Sequence, residues 1–147
     1  RHHYTDGVAF VKNRRDEYDV IIVDSSDPVG PAEQLFSSEF YQDLYNALNE
    51  GGLMVCQSQS PIFHQHVMLR SYERIGRLFP HIRMFTAVVP TYPGGLGSFT
   101  IGSRRPLPAP EEIRFDKEAR YVSESVLRAS FALPAFLEKL IAEKPAR

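Results

Sequence analysis

The feature that most constrains this chain is the stretch from Tyr18 to Pro31, where the apolar run Val20-Ile21-Ile22-Val23 stops on Asp24 and is followed by Ser25-Ser26-Asp27-Pro28-Val29-Gly30-Pro31. Four consecutive β-branched residues without polar alternation predict a strand covered on both faces, as in a parallel sheet flanked by helices. Ligands of such sheets bind just beyond the carboxyl ends of the strands. Asp24 falls at that end. Pro28 and Pro31 each fix φ and remove a donor, so the loop carrying Asp27 is expected to hold one shape. Two acids three residues apart on a stiff loop suit a cationic ligand.

Residues 1–4 read as the stub of a strand, and Asp6-Gly7 as a turn into a short amphipathic helix over about Val8 to Arg15. The start is abrupt, yet His2 and His3 are read as native sequence rather than tag remnants. After the central loop, Ser37 or Ser38 can cap a helix whose Phe40, Tyr41, Leu44, Tyr45 and Leu48 recur at helical spacing, with Gly51-Gly52 ending it. Leu53 to Gln57 then reads as a second buried strand. The helix between the two strands predicts a right-handed parallel crossover that brings Gln57 near Asp24. Pro61 suits the first turn of a further helix reaching Phe79, terminated by Pro80. Ile82 to Val89 and Ser98 to Ser103 are expected as hairpin-like strands joined by a Gly/Pro-rich loop. Residues 1–103 are taken as a single α/β unit. Residues 104–147 are taken as a proline-rich linker and short helices packing on the same domain, the last opening at Pro134.

With 147 residues, 43% of them hydrophobic and 24% charged, the chain is long enough for one domain with a real core. A net charge of −1 with no long basic run argues against binding nucleic acid or a membrane surface through bulk charge. Small-molecule ligands fit better. Cys56 is the single cysteine, which excludes an intrachain disulfide framework and a cysteine-rich zinc site. A cytoplasmic setting is the default expectation, since no segment reads as a signal or membrane span.

The run Asp24-Ser25-Ser26-Asp27-Pro28-Val29-Gly30-Pro31-Ala32-Glu33, with Pro90-Thr91-Tyr92-Pro93 downstream, closely resembles the spermidine synthases, the aminopropyltransferases of polyamine synthesis. The likeness spans roughly residues 4–137 and covers the family's carboxyl-terminal half. The family's small β domain and glycine-rich loop have no counterpart in it. The fold this implies is α/β: the carboxyl-terminal half of a Rossmann-like, methyltransferase-type sheet, mostly parallel with an antiparallel final strand, flanked by helices.

The resemblance also assigns roles. An amine must attack a carbon activated by a sulfonium, and an amine with a pKa of about 10 is mostly protonated at neutral pH. A neighbouring carboxylate can take its proton, and the resemblance gives Asp24 this catalytic role. Asp27, Gln57 and Tyr92 are implied to hold the diamine. Asp6, Gly7, Ser25, Pro31 and Leu35 are implied to edge the nucleoside site, although Thr5 stands where the family often has glycine. Each also has a plainer reading: Asp24 as a turn aspartate, Asp27 as an Asx residue before proline, Tyr92 as a loop anchor, Gln57 as a strand-end amide. For Ser25, Pro31 and Leu35, packing explains the residue nearly as well.

Other chemistries fit poorly. Ser25, Ser26 and Ser58 lack a nucleophile elbow, and Cys56 is expected buried and inert. His64 and His66 lie two apart, the wrong spacing for a helical metal pair, and no Gly-Lys-Ser/Thr follows Pro93 to Gly97, which reads as a hinge over the pocket. Gly97 replaces an aromatic found near this point in many bacterial relatives, so the acceptor pocket is expected to be roomier.

The reading is therefore a spermidine synthase that transfers an aminopropyl group from decarboxylated S-adenosylmethionine to putrescine, giving methylthioadenosine. It requires no metal and no cofactor beyond that cosubstrate. Cadaverine, agmatine or a longer polyamine remain open as acceptors. A homodimer or homotetramer is implied, with the 147-residue piece alone inactive. The alternatives are a putrescine N-methyltransferase-like enzyme and a non-catalytic truncated binding or assembly fragment. Strand order in the implied sheet leaves one edge of the Val20 to Asp24 strand unpaired in this chain, within a remnant sheet of four strands.

Overall fold

The computed structural model describes residues 2–143. Asp6 caps a short first helix, α1 (Gly7–Val11), by accepting from the Ala9 amide at 2.8 Å. The helix stops four residues before the expected Arg15. Arg14 donates its amide to Val11 O, and Asp16 takes a left-handed φ of 50°, which turns the chain into the next strand. Residues 2–4 belong to no strand, and Arg1 lies outside the described residues.

Strand β1 (Tyr18–Val23) pairs in parallel with β2 (Leu48–Gln57), with Val20 opposite Leu53 and Val23 opposite Cys56. Between them run a 3-10 turn (Gly30–Phe36), with Pro31 in its opening positions, and α2 (Ser38–Ala47). Ser37 caps α2, its Oγ accepting from the Phe40 amide at 3.1 Å, a contribution of about 1 kcal/mol. Phe40, Tyr41, Leu44 and Ala47 bury the inner face of α2, as their helical spacing predicts. Gly51 and Gly52 do not end this helix. The helix stops at Ala47, and the glycines sit inside β2, where Gly51 adopts φ 76° and a side chain at Gly52 would come within 3.0 Å of the Asn49 carbonyl. The pair gives the strand an early irregularity rather than the helix a cap.

Pro61 lies in a turn before α3 (Gln65–Leu78), not in the helix's first turn as expected; His64 is the flanking residue. Met68, Ser71 and Ile75 form the buried stripe of α3. Strands β3 (His81–Val88) and β4 (Leu96–Ser103) make an antiparallel hairpin closed at Val88 and Leu96. Strand β4 inserts between β2 and β3, giving the order β1-β2-β4-β3 among the described residues. Three strands therefore share a direction and the last runs against them, an α/β sheet of the expected kind. A side chain at Gly102 would lie 2.7–2.8 Å from Phe79 and Ile75, so glycine is what lets α3 and its end pack directly on β4.

The main core joins α2, β2 and α3 through Tyr41, Leu44, Leu48, Met54, Ile75 and Phe79. Burying each such side chain contributes about 1.5–3 kcal/mol. A second cluster holds Leu137 of α5 (Ala135–Ala142) against Met68 and Met84. Helix α4 (Glu124–Ala129) is capped by Ser123 and carries the Arg128–Glu124 ion pair. Arg104 donates to the Tyr45 carbonyl at 2.7 Å and stacks over the Tyr45 ring, tying the end of β4 to α2.

One expectation fails. The Val20–Val23 run is not covered on both faces: Val20 is 53% and Ile22 75% exposed, while Ile21 and Val23 are half-buried. Here β1 is an edge strand, hydrogen-bonded only to β2 among the described residues, and one of its faces has no layer over it. The apolar residues on that face are those of a sheet centre, but the described residues supply no neighbour for them. The unpaired edge itself is as the strand order implied.

Candidate active site

The parallel pairing of β1 and β2 sets Val23 beside Cys56, so the next residues on each strand, Asp24 and Gln57, leave the sheet side by side at its carboxyl edge. The Pro90 to Gly95 loop is folded tightly above them. The Val89 amide donates to Gly95 O, the Tyr92 amide to Val89 O and the Gly95 amide to Tyr92 O, at 2.8–3.0 Å, with Gly94 and Gly95 at φ 77° and 66°. Those turns hold Tyr92 over the strand ends.

With the Gln57 amide oriented to satisfy its neighbours, Nε2 donates to Asp24 Oδ1 at 3.2 Å and to the Ser25 carbonyl at 2.9 Å, and Oε1 accepts from the Tyr92 hydroxyl at 3.1 Å. A buried amide thus bridges an exposed carboxylate and a phenol that is 42% exposed. Its polar atoms are used up within the protein, so it acts as a fixed spacer that aims both partners.

Cavities surround this bridge. One of roughly 470 Å³, lined by Gly7, Val23, Asp24, Ser25, Leu35 and Phe40 among others, opens on the α1 side of β1. A second, of roughly 380 Å³, also includes Asp24 and adds Gln57, Val89, Tyr92 and Phe99. A third, of roughly 320 Å³, shares Gln57 and Tyr92 with the second and adds Asp27, Gln59, Phe63 and Gly97. Asp24 stands where the first two meet, and the Gln57–Tyr92 pair where the second meets the third. A largely apolar compartment on one side, a carboxylate at the junction, and an aromatic compartment with a second carboxylate on the other side can bring together an apolar-bodied electrophile and an amine.

The structure therefore brings together Asp24, Gln57 and Tyr92 by hydrogen bonds, and Asp27, Gln57 and Tyr92 by a shared cavity. Gly7, Ser25 and Leu35 share the first cavity with Asp24. Asp6 and Pro31 line none of the three: the Asp6 carboxylate is engaged as the cap of α1, and Pro31 lies in the 3-10 turn. Cys56 is buried beneath the site, and its thiol is pushed up to about 11 by burial, as an inert core thiol should be.

Sequence reasoning missed Gln59, Ser60 and Phe63 as cavity walls, and weighed His64 only as a metal ligand, at a spacing that does not suit one. The signal was available in the run Gln57-Ser58-Gln59-Ser60, four polar residues in a row at the end of an apolar strand and just beyond it. This run is bolted to β4: the Ser58 amide donates to Ser98 O at 2.8 Å, the Ser98 amide and hydroxyl to Gln59 O at 3.0 and 2.7 Å, and Ser58 Oγ meets Thr100 Oγ1 at 2.7 Å.

The sequence pattern of the spermine/spermidine synthase domain matches residues 1–112. The polyamine aminopropyltransferase of Desulforudis audaxviator is 47% identical over 90% of this chain and 49% of its own length. That of Caldicellulosiruptor saccharolyticus is 45% identical over 93% of this chain and 50% of its own. Among solved structures, a spermidine synthase in complex with the transition-state analogue AdoDATO superposes with a TM-score of 0.85 at 38% identity, and the spermidine synthase of Thermotoga maritima with 0.83 at 36%; they cover 94% and 95% of this chain and 49% of theirs. The human methyltransferase-like protein 13, at 17% identity and a TM-score of 0.54, shares the fold. The chain spans about half the length of the curated relatives it matches.

Proposed function

The chain belongs to the spermine/spermidine synthase family, and from that premise we propose that it carries the proton-accepting carboxylate and the acceptor-amine pocket of a spermidine synthase. The observation that carries this reading is the Asp24–Gln57–Tyr92 bridge at the junction of two unlike compartments.

The nitrogen lone pair of putrescine attacks the aminopropyl carbon attached to the sulfonium of decarboxylated S-adenosylmethionine. The C–S bond breaks with its electron pair going to sulfur, which leaves methylthioadenosine as a neutral thioether. The attacking ammonium must first lose a proton, and Asp24 accepts it. A positioned base of this kind contributes about 10²- to 10⁴-fold. Gln57 holds Asp24 in place through Nε2, Tyr92 presents its hydroxyl over the amine, and Asp27 binds the second ammonium through a charge-assisted hydrogen bond. Gly7, Ser25 and Leu35 wall the nucleoside side, with Asp6 and Pro31 at its margin. The nucleoside is a cosubstrate consumed in each turnover rather than a cofactor. Residues 1–103 are assigned as the catalytic unit, and residues 104–143 pack against it.

No helix among the described residues is long and apolar enough to cross a membrane. A cytoplasmic enzyme working on small molecules as a homodimer or homotetramer is the assembly we favour.

The test is product identity. The 147-residue chain, alone and joined to the remaining half of the Desulforudis relative, is incubated with decarboxylated S-adenosylmethionine and putrescine. Spermidine and methylthioadenosine in equal amounts from the joined form support the reading. A methylated amine formed from S-adenosylmethionine instead, or no transfer from either donor, overturns it.

A further inference from the structure

Gly97 stands in β4 opposite Ala87, and its φ lies outside the left-handed region, so the backbone alone would admit a side chain there. Space does not. The first carbon of a side chain would lie 2.9 Å from Val89 Cγ2 and 3.4 Å from Phe99 Cε2. The room that the sequence suggested glycine would add to the acceptor pocket is instead taken up by these two side chains. Both also wall the cavity that Asp24, Gln57 and Tyr92 share.

Neither neighbour gives way freely. The Phe99 ring stacks on Phe85 with centroids 5.0 Å apart, and Phe85 in turn meets Phe131 at 5.6 Å. Val89 is β-branched and stiff at χ1, so a push on Cγ2 passes to its backbone. That backbone closes the loop that carries Tyr92. The Val89 amide donates to Gly95 O at 2.8 Å, and the Tyr92 amide donates to Val89 O at 3.0 Å. Lifting Val89 therefore moves Tyr92, whose hydroxyl donates to Gln57 Oε1 at 3.1 Å.

We propose that Gly97 is a positioning residue: its bare backbone is the seat into which Val89 packs, and that seating holds the Tyr92 hydroxyl on Gln57 above the acceptor amine. This rests on the reading of Tyr92 as part of the acceptor-amine site. Gly97 acts through Val89 and the loop between β3 and β4, so its effect depends on the Tyr92 hydroxyl being there to be placed.

The experiment is calorimetric titration of putrescine and, separately, methylthioadenosine into the full-length protein. The variants are Gly97→Ala, Val89→Ala, the two together, and each single substitution combined with Tyr92→Phe. Gly97→Ala is expected to weaken putrescine about fivefold, the weight of a lost neutral hydrogen bond, and to leave methylthioadenosine as in the parent. Val89→Ala empties the seat and should weaken putrescine about threefold, while the double variant, which lacks the colliding Cγ2, should bind it about threefold more tightly than Gly97→Ala. In the Tyr92→Phe background neither single substitution should cost more than about twofold further. Parental putrescine affinity in Gly97→Ala, equal losses with and without the Tyr92 hydroxyl, a double variant no better than Gly97→Ala, or methylthioadenosine weakened to the same extent would each overturn the role of Gly97. Should Gly97→Ala fail to fold, Val89→Ala with and without Tyr92→Phe decides in the same way. The expected pattern of affinities with no aminopropylated product formed would leave the seating of Val89 standing and remove the proposed reaction instead.

Discussion

The Gln57 side-chain nitrogen lies 3.2 Å from Asp24 Oδ1, and the other end of the same amide accepts from the Tyr92 hydroxyl at 3.1 Å. One buried amide thereby couples the proposed base on β1 to the loop that follows β3. Gln57→Leu, close in volume, removes both bonds and frees Asp24 and Tyr92 to drift. A transfer rate lowered by about tenfold or more is expected with saturating substrates, measured by product chromatography. A rate within about twofold of the parent would show that the bridge does not position the base.

Asp27→Asn and Tyr92→Phe should weaken putrescine binding, the aspartate more, because a hydrogen bond to a charged group contributes on the order of 1.5–3 kcal/mol and a neutral one about 1 kcal/mol. Methylthioadenosine should bind both variants as it binds the parent. Calorimetry that instead showed nucleoside binding lost and putrescine binding kept would invert the assignment of the compartments.

Burial raises the Cys56 thiol from its ordinary 9.0 to about 11, and burial also pushes the Tyr41 hydroxyl up. Both groups are neutral when protonated and are harder to ionise folded than unfolded. The Cys56 contribution is therefore fully present below about pH 9 and is lost as pH rises from about 9 through 11, at about 1.4 kcal/mol per pH unit, and Tyr41, whose ordinary value is 10.0, adds to the loss from about pH 10 upward. The melting temperature should fall steeply over that range, and less steeply in Cys56→Val. Iodoacetamide at pH 7.5 should leave the folded protein unmodified. Equal slopes in the two proteins, or rapid alkylation, would contradict this placement of the thiol.

The free edge and exposed apolar face of β1 form a surface suited to pairing with another chain. The 147-residue chain should associate in a concentration-dependent way, and Val20→Lys with Ile22→Lys should suppress this without changing the far-ultraviolet dichroism of the folded protein. Light scattering that shows a monomer at all concentrations for the parent would argue that β1 is not an association edge.

The apolar run ending at Asp24, the periodicity of α2 and α3, and the glycine-proline loop specified strand, helices and hairpin because each pattern reflects local preference and one buried face. The exposure of Val20 and Ile22 was not legible, because an apolar face states what a strand needs and not what covers it. Gly51-Gly52 was misread because glycine serves a helix end and a strand irregularity equally well. The pairing of Asp24 with Gln57 followed from the parallel crossover. The buried, unpartnered side-chain nitrogen of Gln59 did not, since it depends on how the polar run at the end of β2 folds against β4.

Asp24 is the group proposed to accept the proton of the attacking amine. The most direct measurement is single-turnover transfer in Asp24→Asn, with the donor and putrescine both saturating in the form of the protein that turns over. The substitution keeps the shape of the side chain and removes its basicity. A rate lowered by about 10²- to 10⁴-fold with binding of both substrates retained is the predicted result. A rate within about threefold of the parent would contradict it.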